Sequence, residues 1–210
     1  MSLPQTIARH TVEEYLALER ESEERHEYLD GQIYAMAGES TQHGDISVNL
    51  VRDVSTQLKG TPCRVWTKDS KVVSGPAIKH SRSTKGLFSY PDLVVVCEEP
   101  RFMDEHQDVL LNPTVIMEVL SPTTESFDRG EKFRRYRTQI PSLTDYVLVS
   151  QALPLIEHFR RQANDEWVLS AHGDNESSLQ IASINCTLHL SEVYDRVKFP
   201  EESPEPQEVE

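Results

Sequence analysis

The chain predicts an α/β (α+β) fold, a mixed central β-sheet flanked by helices, from three observations. Two helical patterns with a hairpin signal between them occupy the first 60 residues. Two largely apolar runs of strand length, Asp92–Cys97 and Thr114–Leu120, lie in the middle. One Arg-rich helical stretch, Ser126–Gln139, separates these from a further series of short strands.

The elements follow in order. Thr11–Arg25 opens with Thr11 and Glu14, a capping-box pair, and carries Val12, Tyr15 and Leu16 at helical spacing. Asp30-Gly31 supplies the positive φ angles of a two-residue turn between strands Glu27–Leu29 and Gln32–Met36. Thr41–Lys59 places Ile46, Leu50, Val51, Val54 and Leu58 on one helix face. Strands are expected at Arg64–Thr67 and Lys71–Ser74, with 75–89 a polar, basic surface loop. After the Arg-rich helix come strands at Asp145–Val149, Ile156–Arg160, Trp167–Ala171 and Leu179–Leu188, and a closing helix Ser191–Val197. Trp66 and Trp167 read as core. Lys68 and Lys71 read as DNA contacts or solvated side chains.

Composition narrows the class. With 37% hydrophobic and 27% charged residues the chain is neither collagenous, fully disordered nor membrane-spanning. No apolar run approaches the roughly 18–20 residues that cross a bilayer. The first thirty residues carry no secretory pattern, which makes a cytoplasmic location the expectation. Cys63, Cys97 and Cys186 form no C-x-x-C pair and read as small buried apolar residues rather than a disulfide framework. The net charge of −14 is concentrated at the ends. Residues 200–210 (PEESPEPQEVE) read as an acidic disordered tail beyond a single domain, 1–199. Basic stretches at 64–85 and 129–137 leave an approach open to phosphate.

Chemistry is signalled by a conflict. Glu118 sits inside the apolar run Thr114–Leu120, where an unpartnered ionised carboxylate costs on the order of several kcal/mol to bury. Asp92 begins the equally apolar run Asp92–Cys97, and Glu27 precedes the hairpin turn. An Arg from the following helix could compensate Glu118. Three hard oxygen ligands without a Cys or His cluster would instead suit Mg²⁺ or Mn²⁺. Lys132, on the Arg-rich helix with Arg129, Arg134, Arg135 and Arg137, could offset charge developing at a phosphate. His43 falls in the first turn of the second helix, where the dipole favours a neutral imidazole.

Thr11–Leu18 (TVEEYLAL), Arg25–Gly31 (RHEYLDG), His43, Tyr90–Val96 (YPDLVVV), Pro113–Thr124 (PTVIMEVLSPTT), Asp128 with Lys132 and Tyr136, and Asp145–Val149 together resemble the Uma-type restriction endonucleases, a branch of the PD-(D/E)XK nuclease superfamily. The resemblance spans residues 8–197 and is most specific at EVLSP followed by Asp128, Lys132 and Tyr136. It implies a restriction-endonuclease-like fold and a metal-dependent DNA endonuclease. Asp92, Glu118 and Lys132 would be catalytic, Glu27, Asp92 and Glu118 would hold the metal, and His43 and Tyr136 would be accessory. The superfamily pattern has Lys two residues after the Glu. This chain has Leu120 there, and Lys132 matches the position where this branch keeps its lysine. Cutting both strands of a duplex calls for two active sites, which points to a homodimer. The alternative is a non-catalytic module of the same fold that binds nucleic acid or protein.

Overall fold

The computed structural model describes residues 9–75, 83–174 and 176–199. Helix α1 (Val12–Glu21) is capped as its sequence predicts: Glu14 N–H donates to Thr11 Oγ1 at 3.2 Å, and Thr11 N–H to Glu14 Oε2 at 2.8 Å. It stops short of the expected Arg25 because Ser22 is extended (φ −81°, ψ 142°). The hairpin β1 (His26–Leu29) and β2 (Gln32–Ala35) turns at Asp30 (φ +49°) and Gly31 (φ +96°). Helix α2 (Thr41–Gln57) starts at Ser40, whose side chain accepts from His43 N–H at 3.1 Å.

Strands β3 (Arg64–Thr67), β4 (Lys71–Ser74), β5 (Leu87–Ser89), β6 (Leu93–Val96), β7 (Val109–Leu110) and β8 (Val115–Leu120) follow. The next helix is built in three pieces: α3 (Glu125–Phe127), a π-turn (Asp128–Lys132) and α4 (Phe133–Gln139). The chain then forms β9 (Asp145–Ser150), β10 (Ile156–Arg161), β11 (Trp167–His172), β12 (Ser178–Ile181), β13 (Cys186–His189) and α5 (Leu190–Val193).

The described strands form a six-stranded mixed sheet in the order β11-β10-β9-β8-β6-β3, with β8 and β9 parallel and the other pairs antiparallel. Alternation along β6, β8 and β9 sends side chains to two different cores. Leu93, Val95, Val115, Met117, Val119, Val147 and Val149 pack against α2, α5 and the β12–β13 hairpin. Val94, Val96, Ile116, Leu120, Tyr146 and Leu148 face α4 and a second, five-stranded sheet (β2-β1-β5-β4-β7). α1 covers the outer face of that second sheet through Val12, Tyr15 and Leu16 against Tyr28 and Phe88. The sheet is therefore covered on both faces, which is why β6 and β8 read as continuous apolar runs. No helix among the described residues is long and apolar enough to cross a membrane.

Several local expectations are corrected. The expected loop 75–89 contains β5, whose three residues are buried between β1 and β4. Residues 76–82, like the acidic tail, lie outside the described residues. The single strand expected at Leu179–Leu188 is a hairpin, because a 3₁₀ turn at Ala182–Ile184 and left-handed Asn185 (φ +50°) reverse the chain. Cys63 and Cys97 are not inert apolar residues but a disulfide. They extend the β3–β6 register by one pair beyond Arg64 and Val96, which places them directly opposite each other. Cys186 is free and buried. Trp66 and Trp167 are half-buried against the core.

Lys68 pairs with Glu39. Lys71 is neither solvated nor a DNA contact: it is buried, 2.9 Å from Asp108 Oδ2, and its ammonium donates to Tyr90 OH at 3.2 Å. Burial pushes the Asp108 carboxyl up, but Arg20 and Lys71 outweigh it and hold its pKa at about 2. A carboxylate depressed in the folded state stabilises it above the unfolded value of about 3.9 and loses that contribution as pH falls through the folded one. Wild-type protein should therefore lose more melting temperature between pH 4 and pH 2 than Asp108→Asn. Parallel curves in thermal melts would contradict the assignment.

Candidate active site

Four separate stretches of chain meet at one end of the six-stranded sheet. Glu118 shares the α4-facing side of β8 with Ile116 and Leu120. Asp92 lies immediately before β6, where antiparallel pairing of Leu93 with Met117 sets it beside Glu118. Glu27 comes from β1, and Lys132 from the end of the π-turn.

Lys132 is the hub. Its Nζ lies 3.0 Å from Glu118 Oε1, 3.1 Å from Asp128 Oδ1 and 3.4 Å from Glu27 Oε1. Glu118, Asp128 and Lys132 are all buried. Burial pushes the Glu118 carboxyl well above the carboxylate range, and Asp128, Asp92 and Glu27 act in the same direction against Lys132. Burial works against the Lys132 charge too, but Glu118, Glu27, Tyr136 and Asp128 outweigh it and hold its pKa well above the lysine range. The two directions share one cause: several acids crowd around a single ammonium.

Tyr136, one turn further along α4, has its hydroxyl 2.6 Å from Ser89 Oγ on β5 and donates to Glu118 Oε1 at 3.4 Å. Burial holds that phenol well above its ordinary pKa, so it remains a donor. Leu120, at the position where the superfamily pattern has lysine, is instead core on the same sheet face.

Asp92 is held from two sides. Its Oδ2 accepts from Val119 N–H at 2.7 Å, and its Oδ1 lies 2.8 Å from His43 Nε2. The Ser40 cap fixes the first turn of α2 and so aims His43 at the sheet end. Side-chain exposures of 12% for Asp92, 13% for His43 and 20% for Glu27, against 5% for Glu118 and Lys132, make the first three the open side of the cluster.

The expected Mg²⁺ or Mn²⁺ centre is corrected by this arrangement. Among the described residues no group of three or more His, Cys, Asp or Glu side chains is placed to hold a metal ion. The reason is visible in the contacts. Both Asp92 oxygens are turned to His43 and Val119, Glu27 Oε1 accepts from Tyr90 N–H at 3.3 Å, and the Lys132 ammonium lies between the remaining carboxylates.

The helix arginines, read in the sequence as phosphate contacts, are largely committed to acids. Arg129 pairs with Glu125 and Glu157, Arg134 with Glu131, and Arg135 with Glu131 and Asp30. Sequence reasoning misses Ser89 and gives Asp128 no role of its own. Ser89 lay in a segment read as loop, although Leu87-Phe88-Ser89-Tyr90 is itself a strand-like run. Asp128 was visible only as part of a pattern, without a partner to give it a role.

Comparison with known proteins gives the chain its family. The Uma2 profile, described as "Putative restriction endonuclease", matches residues 12–191. Two proteins of Synechocystis sp. (strain PCC 6803), the uncharacterized proteins sll1609 and slr1290, are 34% and 35% identical over 160 and 187 residues. These alignments cover 76% and 89% of this chain, and 85% and 92% of the relatives. Among solved structures, "a putative nuclease belonging to DUF820" from Anabaena variabilis superposes with a TM-score of 0.70 at 16% identity, covering 88% of this chain and 97% of its own, a likeness of fold. With the profile spanning most of its length and both relatives matched over 85% and 92% of theirs, this chain belongs to the Uma2 family.

Proposed function

We propose that this protein is a nuclease that hydrolyses phosphodiester bonds of DNA at the sheet end where Glu27, Asp92, Glu118 and Lys132 meet. The observation that supports this reading most is Lys132 reaching a buried strand glutamate from a separate helix, in a chain whose family carries the description "Putative restriction endonuclease". A charged ammonium fixed in a low-dielectric setting is a preorganised stabiliser of the negative charge that grows on a phosphoryl group under attack. Glu118 and Glu27 flank it, and Tyr136 in turn donates to Glu118. His43, its Nε2 turned to Asp92, has its other ring nitrogen left to take a proton from the attacking water, the division of labour of an oriented imidazole base. DNA would enter over Asp92, His43 and Glu27.

The test is conversion of supercoiled plasmid by purified protein, in buffers with and without divalent salts, beside Glu118→Gln. Nicking or linearisation by the wild type and none by folded Glu118→Gln is the expected result. A folded wild type that leaves DNA intact in every buffer would remove the proposal. Burial of Lys132 and Glu118 favours a second reading, a module that binds DNA or protein without cutting it, and the same gel run under native conditions would show it as binding without cleavage.

A further inference from the structure

Asp128 belongs to the cluster and is buried at the start of the π-turn. Its side chain is 3% exposed, and Oδ1 has no hydrogen-bond partner, although Lys132 Nζ is 3.1 Å away as a charge contact. A buried carboxylate without directed donors costs free energy unless a charge compensates it. The contrast is Asp145, equally buried near the opposite end of β8 and β9. There Oδ1 meets His158 Nε2 at 2.6 Å, and Oδ2 accepts from Ser183 Oγ at 2.5 Å and Thr144 Oγ1 at 2.7 Å. Asp145 is satisfied as a structural aspartate should be. Asp128 has Lys132.

The backbone beneath Asp128 is built to keep it in place. Residues 128–132 form the π-turn, a widened helical turn that often marks functional sites. The buried Tyr146 hydroxyl donates to the Asp128 carbonyl at 3.1 Å. Tyr146 itself stacks on Phe133, the first residue after the turn, with centroids 5.1 Å apart and planes 4° from parallel. The turn is therefore pinned from β9, and both of its buried ends, Asp128 and Lys132, are fixed relative to β8.

We propose that Asp128 is the positioning residue for Lys132, clamping the ammonium from its own turn so that its long, flexible stem presents the charge beside Glu118. A lysine stem turns about four rotatable bonds, and the strand carboxylates Glu118 and Glu27 alone leave its approach direction open. A third carboxylate, four residues earlier in the same turn, removes that freedom. The proposal rests on the reading of this site as a phosphodiester-cleaving centre for its rate consequence, but not for its geometric one.

The experiment therefore has two readouts on the full chain. The first is single-turnover cleavage and KM for duplex DNA. The second is the ¹H–¹³C signal of the Lys132 ε-methylene in ¹³C-lysine-labelled protein, assigned by its loss in Lys132→Arg. An immobilised ε-methylene shows two inequivalent protons, and a freely rotating one shows a single averaged shift. Asp128→Asn is expected to lower kcat roughly 10–100-fold with KM within about twofold, and to collapse the inequivalence. Asp128→Glu, which keeps the charge but moves it by one methylene, is expected to fall between the two. It also covers the case in which the Asn variant does not fold. Wild-type rate and wild-type Lys132 signal in either folded variant would overturn the proposal. A wild type that binds but never cuts would remove the nuclease reading alone, and the lysine signal would still decide whether Asp128 positions Lys132.

Discussion

Lys132→Met is expected to lower the melting temperature by roughly 6–20 °C at pH 8 and to abolish DNA cleavage. Methionine fills much of the lysine stem's volume but leaves Glu118, Asp128 and Glu27 facing one another without a cation. Breaking a buried pair by removing one partner typically costs about 3–5 kcal/mol, and for a chain of this size each kcal/mol moves the midpoint by about 2–4 °C. The deficit has a sign in pH. The Glu118 carboxyl is already raised by burial, and losing the ammonium raises it further. A carboxyl raised in the folded state binds protons that the unfolded chain releases, so stability falls as pH climbs above the unfolded value of about 4.3. The gap between variant and wild type should be widest at pH 8 and narrow toward pH 5. Melts that run parallel across that range, or coincide with wild type, would show that the ammonium does not compensate the cluster.

Asp92→Ala and Asp92→Asn should separate structure from chemistry. Alanine leaves Val119 N–H, inside the sheet, without its 2.7 Å acceptor, a loss of about 1–3 kcal/mol. It also removes the group that orients His43. Asparagine can still accept from Val119 through its amide oxygen, so its melting temperature should return most of the way to wild type. Its amide cannot supply the negative charge that supports an imidazolium. Both variants are expected to lose cleavage by about 10²–10⁴-fold, the usual worth of a positioned acid–base pair. An Asn variant that melts like wild type and also cuts like it would take Asp92 and His43 out of the chemistry.

Much of the scaffold could be read from residues, because local chemistry dictates it. Thr11 with Glu14, Asp30 with Gly31, and the alternation-free runs around Val95 and Ile116 each carry their structure within a few positions. The element boundaries that failed were set by distant packing. β5 is a strand because β1 and β4 flank it, and the β12–β13 hairpin turns on Asn185 in a left-handed conformation that sequence does not announce. The cysteines show the same limit. Cys63 and Cys97 are thirty-four residues apart and meet only through the register of β3 on β6.

The candidate site divides in the same way. Glu118 was conspicuous because a carboxylate in an apolar strand must be compensated, and Asp92 because it opens a matching strand. What compensates Glu118 was not legible. Sequence offered either an arginine or a metal ion, whereas the lysine of the next helix stands 3.0 Å away. Nor could the sequence say that Arg129 and Arg135 would also turn to Glu157 and Asp30. Those pairings depend on where α4 lies over β10 and the hairpin, a tertiary fact.

A double-mutant cycle on single-turnover cleavage of end-labelled duplex DNA, with protein in excess, addresses Glu118 and Lys132 together. Groups that act as one unit are strongly non-additive. If this pair is the working core of a phosphodiester-cleaving centre, Glu118→Gln, Lys132→Met and the double variant should all drop to a common floor. Losses that simply multiply in the double variant, or a folded wild type that leaves the duplex whole, would contradict it.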